Sequence, residues 1–176
     1  MGEIKKYAIG LLVSNKSGVM TRITGLFTRR GYNIESITGC ATEENEISRL
    51  TIILNGDEYT LYQLIKQLDK LEDVQKVGCA NELDCVYREL ALIKVCAPPE
   101  KRREVVEATE IYKAKVVDFS PETMILEITG EPTKIEAFIK VIGPYGILEM
   151  QRTGVTVLAR GKHTLKDRDC YSDHIN

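Results

Sequence analysis

One order of hydrophobic patterns occurs twice in this chain of 176 residues, and it leaves few folds open. In the first half, Tyr7, Ile9, Leu11 and Val13 alternate along a strand whose intervening residues Ala8, Gly10 and Leu12 are also non-polar. A strand apolar on both faces is usually central in its sheet. Asn15-Lys16-Ser17-Gly18 reads as a turn, with Ser17 as N-cap of the helix that follows. Val19, Met20, Ile23, Leu26 and Phe27 recur at helical spacing until Gly31, a left-handed stop. Strands over 33–42 and 47–54 come next, and Leu50, Ile52 and Leu54 alternate along the second. Asn55-Gly56-Asp57 turns the chain and caps a helix carrying Leu61, Leu64, Ile65, Leu68 and Leu71, and a strand over 74–79 closes the pattern.

After a polar linker the order returns. A strand over 89–97 leads to a helix opened by Pro98-Pro99 and carrying Val105, Val106 and Ile111. Strands over 114–119 and 123–129 form a hairpin around Ser120-Pro121-Glu122, with proline at the second turn position. Pro132 opens a helix whose apolar stripe is Ile135, Phe138, Ile139 and Ile142, Gly143-Pro144 ends it, and 147–152 is the last strand. Two βαββαβ units of this length predict an α+β chain of two ferredoxin-like sandwiches in tandem, each with its helices on one sheet face. Right-handed crossovers place the first and third strands of each unit at the centre and leave the second and fourth on the edges, open to pairing with another copy. The expected boundaries are an N-terminal domain over 1–80, a linker over 81–87, a C-terminal domain over 88–161 and a polar tail over 162–176 with no assigned role.

Composition narrows the function. Hydrophobic residues make up 43%, charged residues 28%, and the net charge is −2 with both signs interspersed, which gives no electrostatic case for nucleic acid or an anionic membrane. RNA-binding modules share the βαββαβ order, but their third strand stacks bases on paired aromatics, and the segment 47–54 has none. No signal peptide pattern opens the chain and no apolar run is long enough to span a bilayer, so the expected compartment is the cytoplasm. Cys40, Cys79, Cys85, Cys96 and Cys170 are odd in number and include no C-x-x-C, so they read as reduced thiols rather than a disulfide framework. His163, His174 and Cys170 share a polar tail and fall short of the four ligands of a zinc site, so no metal is expected. With both histidines in that tail, and no G-x-S-x-G, H-E-x-x-H, P-loop or G-x-G-x-x-G, the chain is not expected to be an enzyme.

The segment from Leu12 to Ser36 holds the candidate site. A strand feeds a short loop that opens directly into a helix N-terminus, where the first amides lack internal partners and sit at the positive end of the dipole. Gly18 removes the side chain where a ligand would approach the backbone, or else relieves strain in a tight turn. A ligand with one carboxylate and a small apolar side chain suits those amides together with Val19 and Met20. Asn33 reads either as an ordinary turn asparagine or as a donor and acceptor reaching a ligand in a second copy, if two edge strands pair across a dimer axis.

The same segment resembles the signature of the ACT domain and, more narrowly, of the small subunit of bacterial acetohydroxyacid synthase (acetolactate synthase), roughly N-x-S-G-x-L-x-R-x-x-G-L-F-x-x-R-G-Y-N-I-x-S. Asn15, Ser17, Gly18, Arg22, Gly25, Leu26, Phe27, Arg30, Gly31, Tyr32, Asn33, Ile34 and Ser36 fit it, and Met20 stands in place of leucine. The runs Ser48 to Ile52, Gln67 to Leu71, Arg88 to Lys94 and Arg152 to Gly161 match as well. The resemblance implies a regulatory subunit that activates a large catalytic subunit and confers feedback inhibition by valine in branched-chain amino-acid biosynthesis. It implies that thiamine diphosphate, magnesium and FAD reside in that catalytic partner and no cofactor in this chain. It also implies a homodimer through the first domain, with valine at the dimer interface, contacted by Asn15, Gly18 and Asn33 and surrounded by Lys16, Ser17, Val19, Met20 and Ile34. The alternative is a stand-alone amino-acid sensor of the same domain type acting on another protein.

Overall fold

The computed structural model describes residues 4–80 and 84–167. The order of elements is β1 (Lys5–Ser14), α1 (Val19–Arg29), β2 (Ile34–Ala41), β3 (Ile47–Gly56), α2 (Glu58–Leu68), β4 (Val74–Ala80), β5 (Cys85–Cys96), α3 (Arg102–Ile111), β6 (Lys115–Phe119), β7 (Thr123–Gly130), α4 (Pro132–Ile142), β8 (Ile147–Arg152) and β9 (Thr156–Ala159). Short 3-10 turns lie at Gly143–Tyr145 and Leu165–Asp167. The first sheet runs β2-β3-β1-β4 and the second β6-β7-β5-β8, with β9 paired to β5. Two ferredoxin-like sandwiches are therefore present, with the central and edge strands that the crossover rule places there.

In the first unit, Ile9, Leu11 and Val13 of β1 and Leu50, Ile52 and Leu54 of β3 meet Val19, Ile23, Leu26 and Phe27 of α1 and Leu61, Leu64 and Leu68 of α2. In the second, Ala91, Ile93 and Val95 of β5 and Met124, Leu126 and Ile128 of β7 pack under Val105 of α3 and Ile135, Phe138 and Ile142 of α4. Ile111, expected in that core, is 72% exposed, and Ala108 and Thr109 are buried instead. The helix begins at Arg102, beyond the two prolines, and at 100° per residue Ile111 lies about 120° around the helix from Val105.

Local chemistry explains the helix starts. Asp57 caps α2 by accepting a hydrogen bond from the Thr60 amide at 2.7 Å, and that bond lowers the pKa of its carboxyl. A depressed carboxylate pKa contributes stability that is present above the ordinary value and is lost as pH falls through the lowered one. Asp57→Ala is therefore expected to melt below the wild type at neutral pH, with the gap closing on acidification below about pH 4. Parallel thermal melts across pH check this, and a gap that stays constant to strong acid contradicts it. At α1 the expected cap is replaced. Gly18, not Ser17, is the N-cap, in a left-handed conformation (φ 84°) and without a side-chain cap hydrogen bond.

The expected polar tail also differs. The described residues divide into two compact units, 87–154 on the one hand and 4–80 and 84–86 with 155–167 on the other, so residues 155–161, expected in the second domain, and residues 162–167, expected in the polar tail, pack with the first unit. Val157 and Leu165 are each 2% exposed. The strand β5 starts at Cys85, so the linker is shorter than 81–87, and its residues 81–83 lie outside the described residues. In the second unit, β5 carries one buried carboxylate. Glu89 points to the helix side, and Arg152 of β8 grips it from two nitrogens, Nε to Oε1 at 2.8 Å and Nη2 to Oε2 at 2.7 Å, while Nη1 reaches Glu136 of α4 at 2.5 Å.

Candidate functional site

The loop between β1 and α1 is built from backbone contacts that hold Asn15 in place. Its N–H donates to the Glu46 carbonyl at 2.7 Å and its side-chain Nδ2 to the Asn45 carbonyl at 2.9 Å, both in the β2–β3 turn. The Ser14 N–H donates to the Asp73 carbonyl at 2.9 Å on the other side. The chain then swings through left-handed Gly18 into α1, whose first turn closes with the Arg22 N–H on the Gly18 carbonyl at 3.0 Å. The amides of residues 18–21 precede that bond, and helix geometry leaves them without intrahelical acceptors. No acidic residue stands in the first turn of α1, so the positive dipole end is not neutralised there.

Asn15, Lys16, Ser17 and Gly18 are exposed, and Val19 is anchored in the core. Met20 is 43% exposed, and its Cε lies 3.8 Å from where a Cβ on Gly39 of β2 would stand. The same Cβ would meet Leu50 Cδ2 of the neighbouring strand β3 at 2.5 Å, so any larger residue at 39 would force the buried Leu50 side chain to shift. Met20, Gly39 and Leu50 thus make an apolar floor beside a cluster of free amides. A Cβ at Gly18 meets nothing within 4 Å, so its glycine is needed for the positive φ and the space above it is open. The positive φ bears out the reading that glycine relieves strain in a tight turn.

Asn33 and Ile34 sit elsewhere. Ile34 pairs with Leu54 at one end of β3, whereas Ala41 pairs with Ser48 and Ser14 with Ile47 at the other. The eight residues of β2, seven steps along the strand, separate the two ends by about 23 Å. Within one chain the structure therefore brings Asn15 to Met20 together and leaves Asn33 at the opposite end of the sheet. The sequence reading did not find Asn45 and Glu46, which act only through their carbonyls. Gly39 carried a signal, a glycine inside a strand pattern.

Other candidate chemistry is thin. Burial, with Cys85 nearby, pushes the Cys79 thiol up to about 12, so at neutral pH it holds its proton and is no nucleophile. Cys40, Cys79, Cys85 and Cys96 are free thiols, and Cys170 lies outside the described residues, as does His174. His163 is exposed, and no group of three or more metal-ligating side chains occurs among the described residues. No helix among them is long and apolar enough to cross a membrane.

Comparison with known proteins adds the family. Residues 9–76 match the model of the AHAS small subunit-like ACT domain, and residues 88–161 match that of the small subunit of acetolactate synthase. The chain is 49% identical over 156 residues to a probable acetolactate synthase small subunit from Archaeoglobus fulgidus, covering 89% of this chain and 98% of that protein. It is 49% identical over 157 residues to the acetolactate synthase small subunit of Bacillus subtilis, covering 89% and 91%. The crystal structure of the acetolactate synthase small subunit from Thermotoga maritima superposes with a TM-score of 0.84 at 40% identity, covering 90% of this chain and 99% of that one.

Proposed function

This chain belongs to the family of acetolactate synthase small subunits, the non-catalytic regulatory subunits of that enzyme, and from that premise we propose that it activates a large catalytic subunit and makes it sensitive to valine. Catalysis, with its thiamine diphosphate, magnesium and FAD, belongs to the large subunit. The observation that carries the effector reading is the Asn15–Met20 loop, where free helix amides, an uncapped left-handed Gly18 and the Met20–Gly39 floor adjoin. A carboxylate fits the amides and a short branched side chain fits the floor.

The separation of Asn33 from that loop argues for a homodimer. If the edge strand β2 pairs antiparallel with β2 of a second copy, the start of one β2 lies beside the end of the other. That arrangement carries Asn33 of one copy toward the Asn15 loop of its mate, which a single chain cannot do. Valine then bridges two copies, with Lys16, Ser17, Val19 and Ile34 framing Asn15, Gly18, Met20 and Asn33.

Reconstitution tests the whole reading. The chain alone, supplied with pyruvate and the three cofactors, is expected to form no acetolactate. Added to the large subunit, it is expected to raise the rate and to make that rate fall with valine. Sustained turnover by the lone chain, or a rate indifferent to its addition, overturns the proposal.

A further inference from the structure

The face of the first sheet that turns away from its helices is covered by residues of the 155–167 segment. Ala8, Leu12, Thr51 and Ile53 alternate with the core residues of β1 and β3, so they point to that face, yet each is only 3–5% exposed. Residues of the 155–167 segment account for this. Val157 and Leu165 are buried, the Val157 carbonyl accepts from Arg49 Nη2 at 2.8 Å, and the turn Leu165–Asp167 packs against β1 and β4. Arg49 lies opposite Leu12 in the β1–β3 register, two residue pairs from the Ser14–Ile47 end of β1 where the effector loop begins to form.

The same segment also holds the β2–β3 turn. Lys166 Nζ pairs with Glu44 Oε1 at 2.7 Å. Neighbouring residues of that turn, Asn45 and Glu46, are the ones that fix Asn15. The turn is internally stiff, since the Thr42 N–H donates to the Ile47 carbonyl at 2.9 Å and the Glu44 N–H to Thr42 Oγ1 at 3.1 Å. The loop on one side and the C-terminal segment on the other are thus tied to one short piece of backbone.

We propose that residues 155–167 form a strap whose docking on the first sheet is thermodynamically coupled, through the β2–β3 turn, to effector binding at the Asn15–Met20 loop. The proposal rests on the effector site assigned above. With the strap docked, the turn and Asn15 are held in the geometry that presents the amides. With it released, the effector must order them itself and binds less well. Linkage is reciprocal, so a bound effector holds the strap down by the same factor.

Hydrogen exchange and calorimetry on the full-length chain, with valine as the probe, test the coupling. Saturating valine is expected to slow exchange of the 155–167 amides, and Leu165→Ser to weaken valine about fivefold or more. Glu44→Gln, which cuts the tie but leaves Leu165 buried, is expected to weaken it by about twofold, the scale of an exposed ion pair. If the wild-type chain binds no valine, the effector assignment fails and the coupling with it. If the wild type binds valine while strap exchange and the affinities of both variants are unchanged, the effector site stands and the coupling is overturned. Should Leu165→Ser fail to fold, the wild-type exchange and Glu44→Gln decide the matter alone.

Discussion

Holoenzyme reconstituted with Gly18→Asp is expected to need about ten to a thousand times more valine for the same inhibition. The valine carboxylate, if held by the amides of residues 18–21, meets a second negative charge. At about 4 Å the repulsion is roughly 1 kcal/mol in bulk water and about 4 kcal/mol at an effective dielectric of about 20. At about 1.4 kcal/mol per tenfold, that spans one to three decades. The structure sets the control for this experiment. Gly18 has φ 84°, so any side chain there is strained, but its Cβ meets no atom within 4 Å and the fold has room for it. Left-handed strain costs about 1–2 kcal/mol, and aspartate and asparagine tolerate that region best. Gly18→Asn therefore carries the same strain without the charge and separates the two effects. Asn33→Ala, which removes a contact expected from the second copy, should shift inhibition in the same direction by less, since one hydrogen bond contributes about 0.5–1.5 kcal/mol. Valine titration of each reconstituted variant is the measurement. Normal sensitivity in a folded Gly18→Asp holoenzyme would falsify the site.

Arg152→Met is expected to cost the second unit about 2–4 kcal/mol. Glu89 is 5% exposed, and Arg152 is its bidentate partner, so the substitution strands a buried carboxylate. Breaking such a pair typically costs about 3–5 kcal/mol, and the lower range applies here because the Arg152 side chain is 30% exposed and screened by water. For a domain of this size each kcal/mol moves the melting point by about 4–8 °C, so a fall of roughly 10 °C or more should be plain in calorimetry. The double variant Glu89→Met with Arg152→Met removes both charges and should recover most of the loss. A single variant that melts with the wild type means that Glu89 finds another partner and the pair is not what holds β8 to β5.

Much of this molecule is written in local patterns. Alternation in Tyr7 to Val13 and the Ile135-Phe138-Ile139-Ile142 stripe each identify an element by burial along a few consecutive residues. The order of those elements, with one rule of crossover handedness, suffices for two sheets with β1 and β3 inside and β2 outside. Asp57 was legible as a cap because capping is a contact between residues three apart. Ser17 was not, because the side-chain rule for caps gives way where a tight loop demands positive φ, and Gly18 takes both roles. The loop from Asn15 to Met20 was legible as one stretch of turn and helix start because its residues are contiguous.

What only the tertiary structure decided are the contacts between residues far apart in the chain. Asn33 follows the candidate loop closely in sequence, yet α1 carries the chain back along the sheet and leaves it about 23 Å away, so only in a second copy could it lie beside that loop. Glu89 and Arg152 are 63 positions apart, and neither stands out in a chain where more than a quarter of residues are charged. The strap is the plainest case. Val157 falls at the end of the expected second domain and Leu165 in the expected polar tail, and no periodic pattern links the two. They become core because the open face of the first sheet is itself apolar and must be shielded from water, a demand made by β1 and β3 more than a hundred residues earlier.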